Sequence, residues 1–190
     1  MKKILVIDNY DSFTYNLVYY ISEITGHQPE VFRNDRISLK AVSAFDKIVI
    51  SPGPGIPSEA GICPELIEKY APVKSILGIC LGHQAIAEVF GGTLENLKEV
   101  YHGISTGIRV LDQEESLFDG LSPVITGGRY HSWIVRKEGF PGQLRITCED
   151  EKGIIMGIRH KSLDVRGLQF HPESVLTPDG MIMMKNWLKT

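Results

Sequence analysis

Short apolar runs alternate with helix-like segments through the first half of the chain. Continuous aliphatic runs that end in polar or Pro/Gly-rich loops are typical of strands buried on both faces of a sheet. Such strands are predicted at residues 3–8, 47–51 and 75–79, with a weaker one at 31–32. Helices are predicted between Ser12 as N-cap and Gly26 as stop signal, and at residues 65–70 and 84–90. This alternation indicates a parallel sheet with helices on both faces.

The second half changes to short strand-like runs separated by turns, several of which could pair antiparallel. These runs are residues 107–111, 130–136, 144–148, 154–159 and 165–170, followed by an amphipathic helix at 181–188 in which Trp187 is expected to be buried. No linker, repeat or low-complexity tract divides the chain. The predicted fold is therefore α/β: a mostly parallel central sheet flanked by helices, with a smaller antiparallel extension, in a single domain of residues 1–190.

Composition narrows the class of protein. With 43% hydrophobic and 23% charged residues the chain is expected to be globular, and a net charge of -3 gives no attraction to nucleic acid or to an anionic membrane. The N-terminal apolar run stops at Asp8, too early for a signal-peptide core or a membrane span. The three cysteines form no CxxC pair, so no metal site is predicted. A cytoplasmic protein with a small-molecule or protein partner is expected.

The sharpest chemical signal is Gly78-Ile79-Cys80-Leu81-Gly82, between a predicted strand and a predicted helix. A G-x-nucleophile-x-G sequence in that setting makes a sharp turn that exposes the nucleophile at the carboxyl edge of a sheet. The helix N-terminus lowers the pKa of a thiol there, and the N–H of Leu81 would face an oxyanion. A lone cysteine is more often a small buried residue, but the strand, glycines and helix together favour a nucleophile.

The second signal is His171-Pro172-Glu173. Proline favours an extended conformation for the residue before it, and residues two apart on an extended chain point to the same side. His171 could thus act as a base oriented by Glu173, as in a Cys-His-acid triad. The alternative, a packed histidine beside a solvated glutamate, is favoured by this spacing alone but not once Cys80 is considered.

Two loops are expected at the same edge of the sheet. Residues 51–57, Ser-Pro-Gly-Pro-Gly-Ile-Pro, could supply a second oxyanion donor, because glycine lets a backbone N–H approach a ligand closely; a purely structural turn is the alternative. Residues 8–14 follow the first strand and could either touch substrate or cap the next helix.

Together these motifs resemble the class I, triad-type glutamine amidotransferase domain over essentially the whole chain. Residues 78–84 look like that family's nucleophile motif, residues 167–174 like its His-Glu motif, and residues 51–55 like its oxyanion loop. The resemblance implies a flavodoxin-like core and a glutaminase mechanism. Cys80 would attack the side-chain amide of L-glutamine, His171 would protonate the departing ammonia, and water would hydrolyse the γ-glutamyl thioester.

The same resemblance assigns further residues to the binding of glutamine. The oxyanion would lie among Gly53, Pro54, Gly55 and the N–H of Leu81, while Gln84, Ser132 and Trp133 would hold the amino-acid end of the substrate. No cofactor is expected in this chain.

Within the family, residues 8–16, 129–132 and 174–178 look like the chorismate-aminating subgroup, component II of anthranilate synthase or of aminodeoxychorismate synthase. This implies a chorismate-binding component I on a separate chain, which would carry the Mg²⁺ and receive ammonia through the interface. Three residues depart from the subgroup: Lys is common at the position of Ile104, Leu at that of Trp133 and His at that of Asp179. Ile104 and Asp179 concern contact with the partner, and Trp133 concerns the shape of the glutamine pocket. The leading interpretation is a glutaminase subunit that supplies ammonia for anthranilate synthesis in the tryptophan pathway, with aminodeoxychorismate in the folate pathway, or both products, as the alternative. Two further alternatives are a different γ-glutamyl or peptide amide as substrate, and a non-catalytic regulatory binding subunit.

Overall fold

The computed structural model describes residues 2–190, which form eleven strands and five α-helices. The strands are β1 (Ile4–Asp8), β2 (Glu30–Arg33), β3 (Lys47–Ile50), β4 (Ser75–Ile79), β5 (Leu94–Asn96), β6 (Ile104–Val110), β7 (Val124–Arg129), β8 (Trp133–Val135), β9 (Leu144–Asp150), β10 (Ile155–His160) and β11 (Val165–Leu168). The helices are α1 (Thr14–Thr25), α2 (Leu39–Val42), α3 (Cys63–Tyr70), α4 (Leu81–Val89) and α5 (Gly180–Lys189), with 3-10 turns at Pro57–Glu59 and Ser116–Phe118.

Nine of the strands form one sheet in the order β2-β1-β3-β4-β11-β10-β9-β6-β7, and β5 pairs with β8 separately. The pairs from β2 to β11 are parallel, whereas those from β11 to β7 are antiparallel. The sheet therefore has a parallel part followed by an antiparallel extension, which confirms the predicted α/β class. The assignment of residues 1–190 to one domain stays a prediction.

The parallel strands are apolar along their length because helices cover both faces. In β1, Leu5, Val6 and Ile7 are fully buried, although successive side chains point to opposite sides. Val6 joins the core beneath α1 and α5, while Leu5 and Ile7 join the core beneath α2, α3 and α4. Trp187 of α5 is fully buried, as predicted. Burial of each aliphatic side chain of β1 contributes about 1.5–3 kcal/mol. The two cores therefore stabilise the sheet and hold in place its carboxyl edge, where the candidate loops lie.

Two details of the sequence prediction are wrong. The N-cap of α1 is Phe13 rather than Ser12, with no side-chain cap; instead the Phe13 N–H donates to the Asp11 carboxylate at 2.8 Å. The predicted strand at residues 130–136 is interrupted, because the chain leaves the sheet after Arg129 and strand β8 starts only at Trp133. In between, the carbonyls of residues 129, 131 and 132 accept hydrogen bonds from the loop at 97–103.

Three short elements were not predicted: α2, β5 and β7. Strand β7 contains Gly127 and Gly128, which weaken a strand pattern. A Cβ at Gly127 would lie 2.9 Å from the Phe170 ring, so the glycine allows β7 to pack against the chain that follows β11. No helix within residues 2–190 combines the length and the apolar character needed to cross a membrane.

Candidate active site

Cys80 lies on a sharp turn between β4 and α4. Its backbone has φ 50° and ψ −97°, a combination that non-glycine residues rarely adopt and that costs about 1–3 kcal/mol. The Cys80 N–H donates to the Leu168 carbonyl of β11 at 2.7 Å, and its carbonyl accepts from the Gln84 N–H at 3.0 Å. These bonds, one to the neighbouring strand and one to the first turn of α4, hold the strained conformation.

The glycines on either side of Cys80 allow this turn. A Cβ at Gly78 would collide with the peptide of Gly82, and a Cβ at Gly82 would lie 2.6 Å from the carbonyl oxygen of Ile50 in β3. Helix α4 therefore starts in backbone contact with the sheet. The predicted strand–nucleophile–helix turn is confirmed as a structural element.

The parallel pairing of β4 with β11 brings the second motif next to the first. Ile79, just before Cys80, is the register partner of Leu168, three residues before His171. The His171 N–H donates to the Gly128 carbonyl of β7 at 2.9 Å, and the Thr177 hydroxyl donates to the His171 carbonyl at 2.6 Å. The histidine backbone is thus fixed by β7, which is distant in sequence, and by Thr177 of the loop that follows His171.

His171 and Glu173 point to the same side, as their spacing predicts. The imidazole Nδ1 lies 2.7 Å from Glu173 Oε1, and both side chains are buried. Because an ionised carboxylate only accepts hydrogen bonds, Nδ1 carries the proton and Nε2 is the nitrogen available for chemistry. Nε2 makes no hydrogen bond of good geometry within residues 2–190.

Glu173 and Cys80 control the charge of His171. Burial alone would lower the pKa of the imidazole, but the Glu173 carboxylate and the Cys80 sulfur outweigh burial and raise the pKa to about 10. Cys80 is therefore close enough to His171 to affect its protonation, although their contact falls short of a well-formed hydrogen bond. The environment favours an imidazolium beside the sulfur, the form that can protonate a leaving group.

Two aromatic rings shield the His171 imidazole from water. The rings of Phe13 and Tyr130 approach the His171 imidazole with centroid distances of 5.5 and 4.9 Å. Phe13 belongs to the loop at residues 8–14, for which the sequence allowed either substrate contact or helix capping. The structure gives this loop a supporting role, because its Asn9 side chain donates to the Ser51 carbonyl at 2.8 Å and so braces the start of the 51–57 loop.

A cavity of about 230 Å³ opens beside Cys80. It is lined by Gly53, Pro54, Gly55, Cys80, Gln84, Tyr130, His131, Ser132 and Trp133. Every residue assigned from the resemblance to the oxyanion or to the substrate lines it, apart from Leu81. A Cβ at Gly53 would lie 2.8 Å from the Leu81 side chain, so Leu81 lies directly behind the wall.

Three residues near Cys80, namely Tyr130, His131 and Gln169, belong to motifs named from the sequence but were given no role in the site. Tyr130 and His131 lie where the predicted strand is interrupted, so the strand pattern did not indicate that their side chains line the cavity. Burial and, to a smaller extent, the positive charge of Arg129 lower the pKa of His131 to about 3, so the His131 imidazole is neutral at pH 7. The only sequence signal for Gln169 is its place two positions before His171; the structure shows that its Nε2 lies 3.6 Å from Cys80 Sγ.

A larger cavity of about 530 Å³ lies at the opposite ends of β1–β3, near Lys3 and Lys47. It contains none of the predicted site residues, so size does not identify the site here. Among residues 2–190, no group of three or more His, Cys, Asp or Glu side chains is arranged to hold a metal ion.

Comparisons with known proteins agree on one family. A model of class-I glutamine amidotransferases matches residues 5–190. The chain is 44% identical over 189 residues to aminodeoxychorismate/anthranilate synthase component 2 of Bacillus subtilis, covering 98% of this chain and 96% of that protein. It is 42% identical over 191 residues to the bifunctional protein TrpGD of Thermotoga maritima, covering 99% of this chain but only 32% of the longer protein.

A solved structure shares the fold. The crystal structure of a glutamine amidotransferase from Thermotoga maritima superposes with a TM-score of 0.77 at 18% identity, covering 99% of this chain and 81% of the other.

Proposed function

Because this chain belongs to the class-I glutamine amidotransferase family, we propose that it hydrolyses L-glutamine to glutamate and ammonia and delivers the ammonia to a chorismate-binding synthase subunit. The observation that carries the chemistry is the arrangement of three buried side chains. Cys80 lies on a strained turn that the pairing of β4 with β11 brings close to His171, and His171 Nδ1 lies 2.7 Å from Glu173 Oε1. A nucleophile, a proton donor and an orienting carboxylate are what amide hydrolysis through a covalent intermediate requires.

Each step has a residue suited to it. The Cys80 thiolate attacks the side-chain carbonyl carbon of glutamine, and the negative oxygen is stabilised by backbone N–H groups of Leu81 and of the loop at Gly53–Gly55. His171 gives its Nε2 proton to the amine as the C–N bond breaks, which releases ammonia and leaves the γ-glutamyl thioester. His171 then takes a proton from water, which attacks the thioester to give glutamate and restore Cys80. Gln84, Ser132 and Trp133 bind the amino-acid end of glutamine.

The partner is proposed from the relatives. The Bacillus subtilis relative is named component 2 of a synthase, which supports a component I on a separate chain that binds chorismate and carries the Mg²⁺. We expect no cofactor in the present chain. A cytoplasmic location is part of the same proposal, since both substrates are small polar metabolites.

The product is proposed to be anthranilate, in tryptophan biosynthesis. Aminodeoxychorismate, in folate biosynthesis, is the alternative, and a subunit shared by both pathways is a second alternative, which the double name of the Bacillus subtilis relative supports. The partner, rather than this chain, would determine which product forms.

The test is recovery of the native partner with the tagged full chain, followed by an assay with chorismate, Mg²⁺ and glutamine. Anthranilate fluorescence identifies the first product, and aminodeoxychorismate the second. The Cys80→Ser variant should lose the glutamine-dependent reaction while retaining the reaction fed with ammonia. If Cys80→Ser supports the glutamine-dependent reaction at the wild-type rate, the chain is a binding subunit and the catalytic proposal is wrong.

Weak hydrolysis by the chain alone and faster hydrolysis in the complex are expected, since unpartnered turnover wastes glutamine. Equal rates would contradict a role for the partner in organising the site. Hydrolysis of γ-glutamyl peptides in preference to glutamine would instead indicate a different amide substrate.

A further inference from the structure

Two buried glutamine side chains connect the wall of the glutamine cavity to the nucleophile. The Gln84 Nε2 lies 3.0 Å from the backbone carbonyl oxygen of Trp133 and 3.2 Å from Gln169 Oε1. Gln169 is fully buried, and its Nε2 lies 3.6 Å from Cys80 Sγ. Gln169 does not line the cavity, so it has no evident part in holding the substrate.

The orientation of both amides follows from the chemistry of the groups at the ends of this connection. A backbone carbonyl can only accept, so the Gln84 group that faces Trp133 must be its NH₂. The second hydrogen of that NH₂ points to Gln169, which therefore presents its oxygen to Gln84. The remaining end of the Gln169 amide, its own NH₂, must then face the sulfur.

The Trp133 carbonyl oxygen accepts a second hydrogen bond, from His131. The Arg129 Nε donates to His131 Nε2 at 3.2 Å, so the neutral His131 ring carries its hydrogen on Nδ1. That Nδ1 lies 3.0 Å from the same Trp133 carbonyl and donates to it. Arg129 is in turn paired with Asp150 at 2.7 Å. A continuous series of hydrogen bonds thus connects the ion pair to Cys80, with the Trp133 carbonyl accepting from both His131 and Gln84.

From this arrangement we propose that Gln169 is a positioning residue that donates a hydrogen bond to the Cys80 thiolate. A buried donor aimed at sulfur stabilises the charged nucleophile more than the neutral thiol and restricts its rotation. The inference rests on the proposed function, because it assigns Gln169 a part in the same reaction. It also gives Gln84 a role besides substrate contact, because the Gln84 NH₂ orients the Gln169 amide.

The test is the pH dependence of Cys80 alkylation by iodoacetamide, measured on the full chain with mass spectrometry to locate the label. Cys63 and Cys148 are fully buried and burial raises the pKa of both thiols, that of Cys63 to about 12, so labelling should fall on Cys80. Gln169→Met removes the donor at similar size. Gln169→Glu retains an acceptor for Gln84 but places a carboxylate at the sulfur. Gln143→Met, at an exposed glutamine, is the matched control.

We expect the alkylation midpoint of Gln169→Met to rise by about one pH unit, equivalent to roughly tenfold less thiolate below the midpoint, and that of Gln169→Glu to rise at least as far. The kcat for glutamine hydrolysis should fall by about the same factor while KM changes little, because Gln169 lies outside the cavity. Gln143→Met should match the wild type. A folded Gln169→Met variant with the wild-type midpoint would overturn the proposal.

A second measurement needs no variant and decides the question if the substitutions prevent folding. In amide NMR spectra of the wild type, a glutamine side-chain NH₂ should titrate with the alkylation midpoint and stop titrating once Cys80 is alkylated. If none of the five glutamines does so, the proposal is wrong. If the wild type does not hydrolyse glutamine, with or without its partner, the proposed function is wrong. The alkylation midpoints then still decide whether Gln169 donates a hydrogen bond to Cys80.

Discussion

At the scale of single residues, the site depends on charges held where water does not reach them. His171 is 2% exposed and Glu173 is 2% exposed, yet the pair is formed by two side chains that can both be ionised. Burial disfavours each charge alone, whereas the 2.7 Å contact makes the two charges stabilise one another. The chemistry of His171 therefore depends on the charge of Glu173 as well as on its position.

Glu173→Gln should lower the pKa of His171, because it removes the opposite charge that raises that pKa to about 10. Loss of the proton donor at neutral pH should reduce kcat for glutamine hydrolysis by about 10²-fold. The measurement is the pH–rate profile of the complex with its partner. The exposed substitution Glu138→Gln serves as control, and a wild-type profile for Glu173→Gln would contradict the assigned role.

The same variant should change how stability depends on pH. In the wild type the folded state holds a proton on His171 that the unfolded chain releases near pH 6.5, so this contribution is complete below pH 6.5 and is lost as pH rises towards about 10. Glu173→Gln should show a smaller loss over that interval in denaturant unfolding. An equal loss in both proteins would show that the pair does not control the proton.

At the scale of elements, the turn from β4 to α4 combines strain with close packing. Cys80 has a positive φ, and Gly78 and Gly82 allow the helix to start against the sheet. Strain of this kind persists where surrounding contacts over-determine the backbone, and the hydrogen bond from Cys80 N–H to the Leu168 carbonyl is one of those contacts. The turn is therefore expected to reduce stability while it places Cys80 at the cavity.

Substitutions at Cys80 can measure this strain directly. Cys80→Gly should be more stable than Cys80→Ala by about 1–2 kcal/mol, because only glycine adopts a positive φ without steric cost. At an ordinary helical position the order is reversed, with glycine less stable than alanine by about 1 kcal/mol; Ala85 of α4 provides that comparison. Urea unfolding measures both pairs, and a more stable Cys80→Ala would exclude strain at the turn.

Gly82→Ala should destabilise the fold by about 1–3 kcal/mol, because its Cβ would lie 2.6 Å from the Ile50 carbonyl oxygen and 3.0 Å from Ile50 Cβ. The displaced turn should also reduce glutaminase activity. Gly142→Ala is the matched control, since a Cβ there meets nothing within 4 Å. Thermal unfolding of both variants checks this prediction, and equal effects would show that Gly82 is not packed as described.

At the scale of the whole molecule, the site lies where the parallel and antiparallel parts of the sheet meet. β11 pairs with β4 on one side and with β10 on the other, which places the His171 loop beside Cys80. The antiparallel part then returns through β7, whose Gly128 bonds to His171, and supplies Tyr130 and His131 to the cavity. Folding of the extension is thus required for a complete site.

Two buried histidines make the whole fold sensitive to acid. Burial lowers the pKa of His83 to about 4 and that of His131 to about 3. Since the unfolded chain binds these protons near pH 6.5, stability is complete above pH 6.5 and is lost as pH falls towards these values. Unfolding on acidification should therefore begin well before most carboxylates are protonated.

His83→Leu should raise the free energy of unfolding at pH 7 by about 1–2 kcal/mol, because neither buried ring nitrogen of His83 makes a well-formed hydrogen bond to the described residues. The advantage should grow by roughly 3 kcal/mol at pH 4, where folding must keep the wild-type ring neutral. Urea unfolding at the two pH values checks this, with the exposed His27→Leu as control. A difference that does not depend on pH would contradict the role of His83.

Much of the fold could be predicted because local rules and the tertiary environment agree. Each aliphatic run of the parallel part became a strand, since burial on both faces demands apolar residues at every position. Glycine signals were also reliable, and Gly26 ends α1 with φ 74°. Prediction failed where residues serve distant contacts: Gly127 in β7 fits against Phe170, and residues 130–132 leave the sheet to pair with the loop at 97–103.

The sequence by itself determined the α/β class, the turn that carries Cys80 and the common side of His171 and Glu173, because each depends on residues close together in the chain. Only the tertiary structure decided that β11 lies beside β4, that residues 130–133 close the cavity, and that Gln169 points its amide at the sulfur. Those features depend on which strands pair and on which donors face which acceptors. Such choices are made by packing and hydrogen bonding between distant segments, and no local pattern records them.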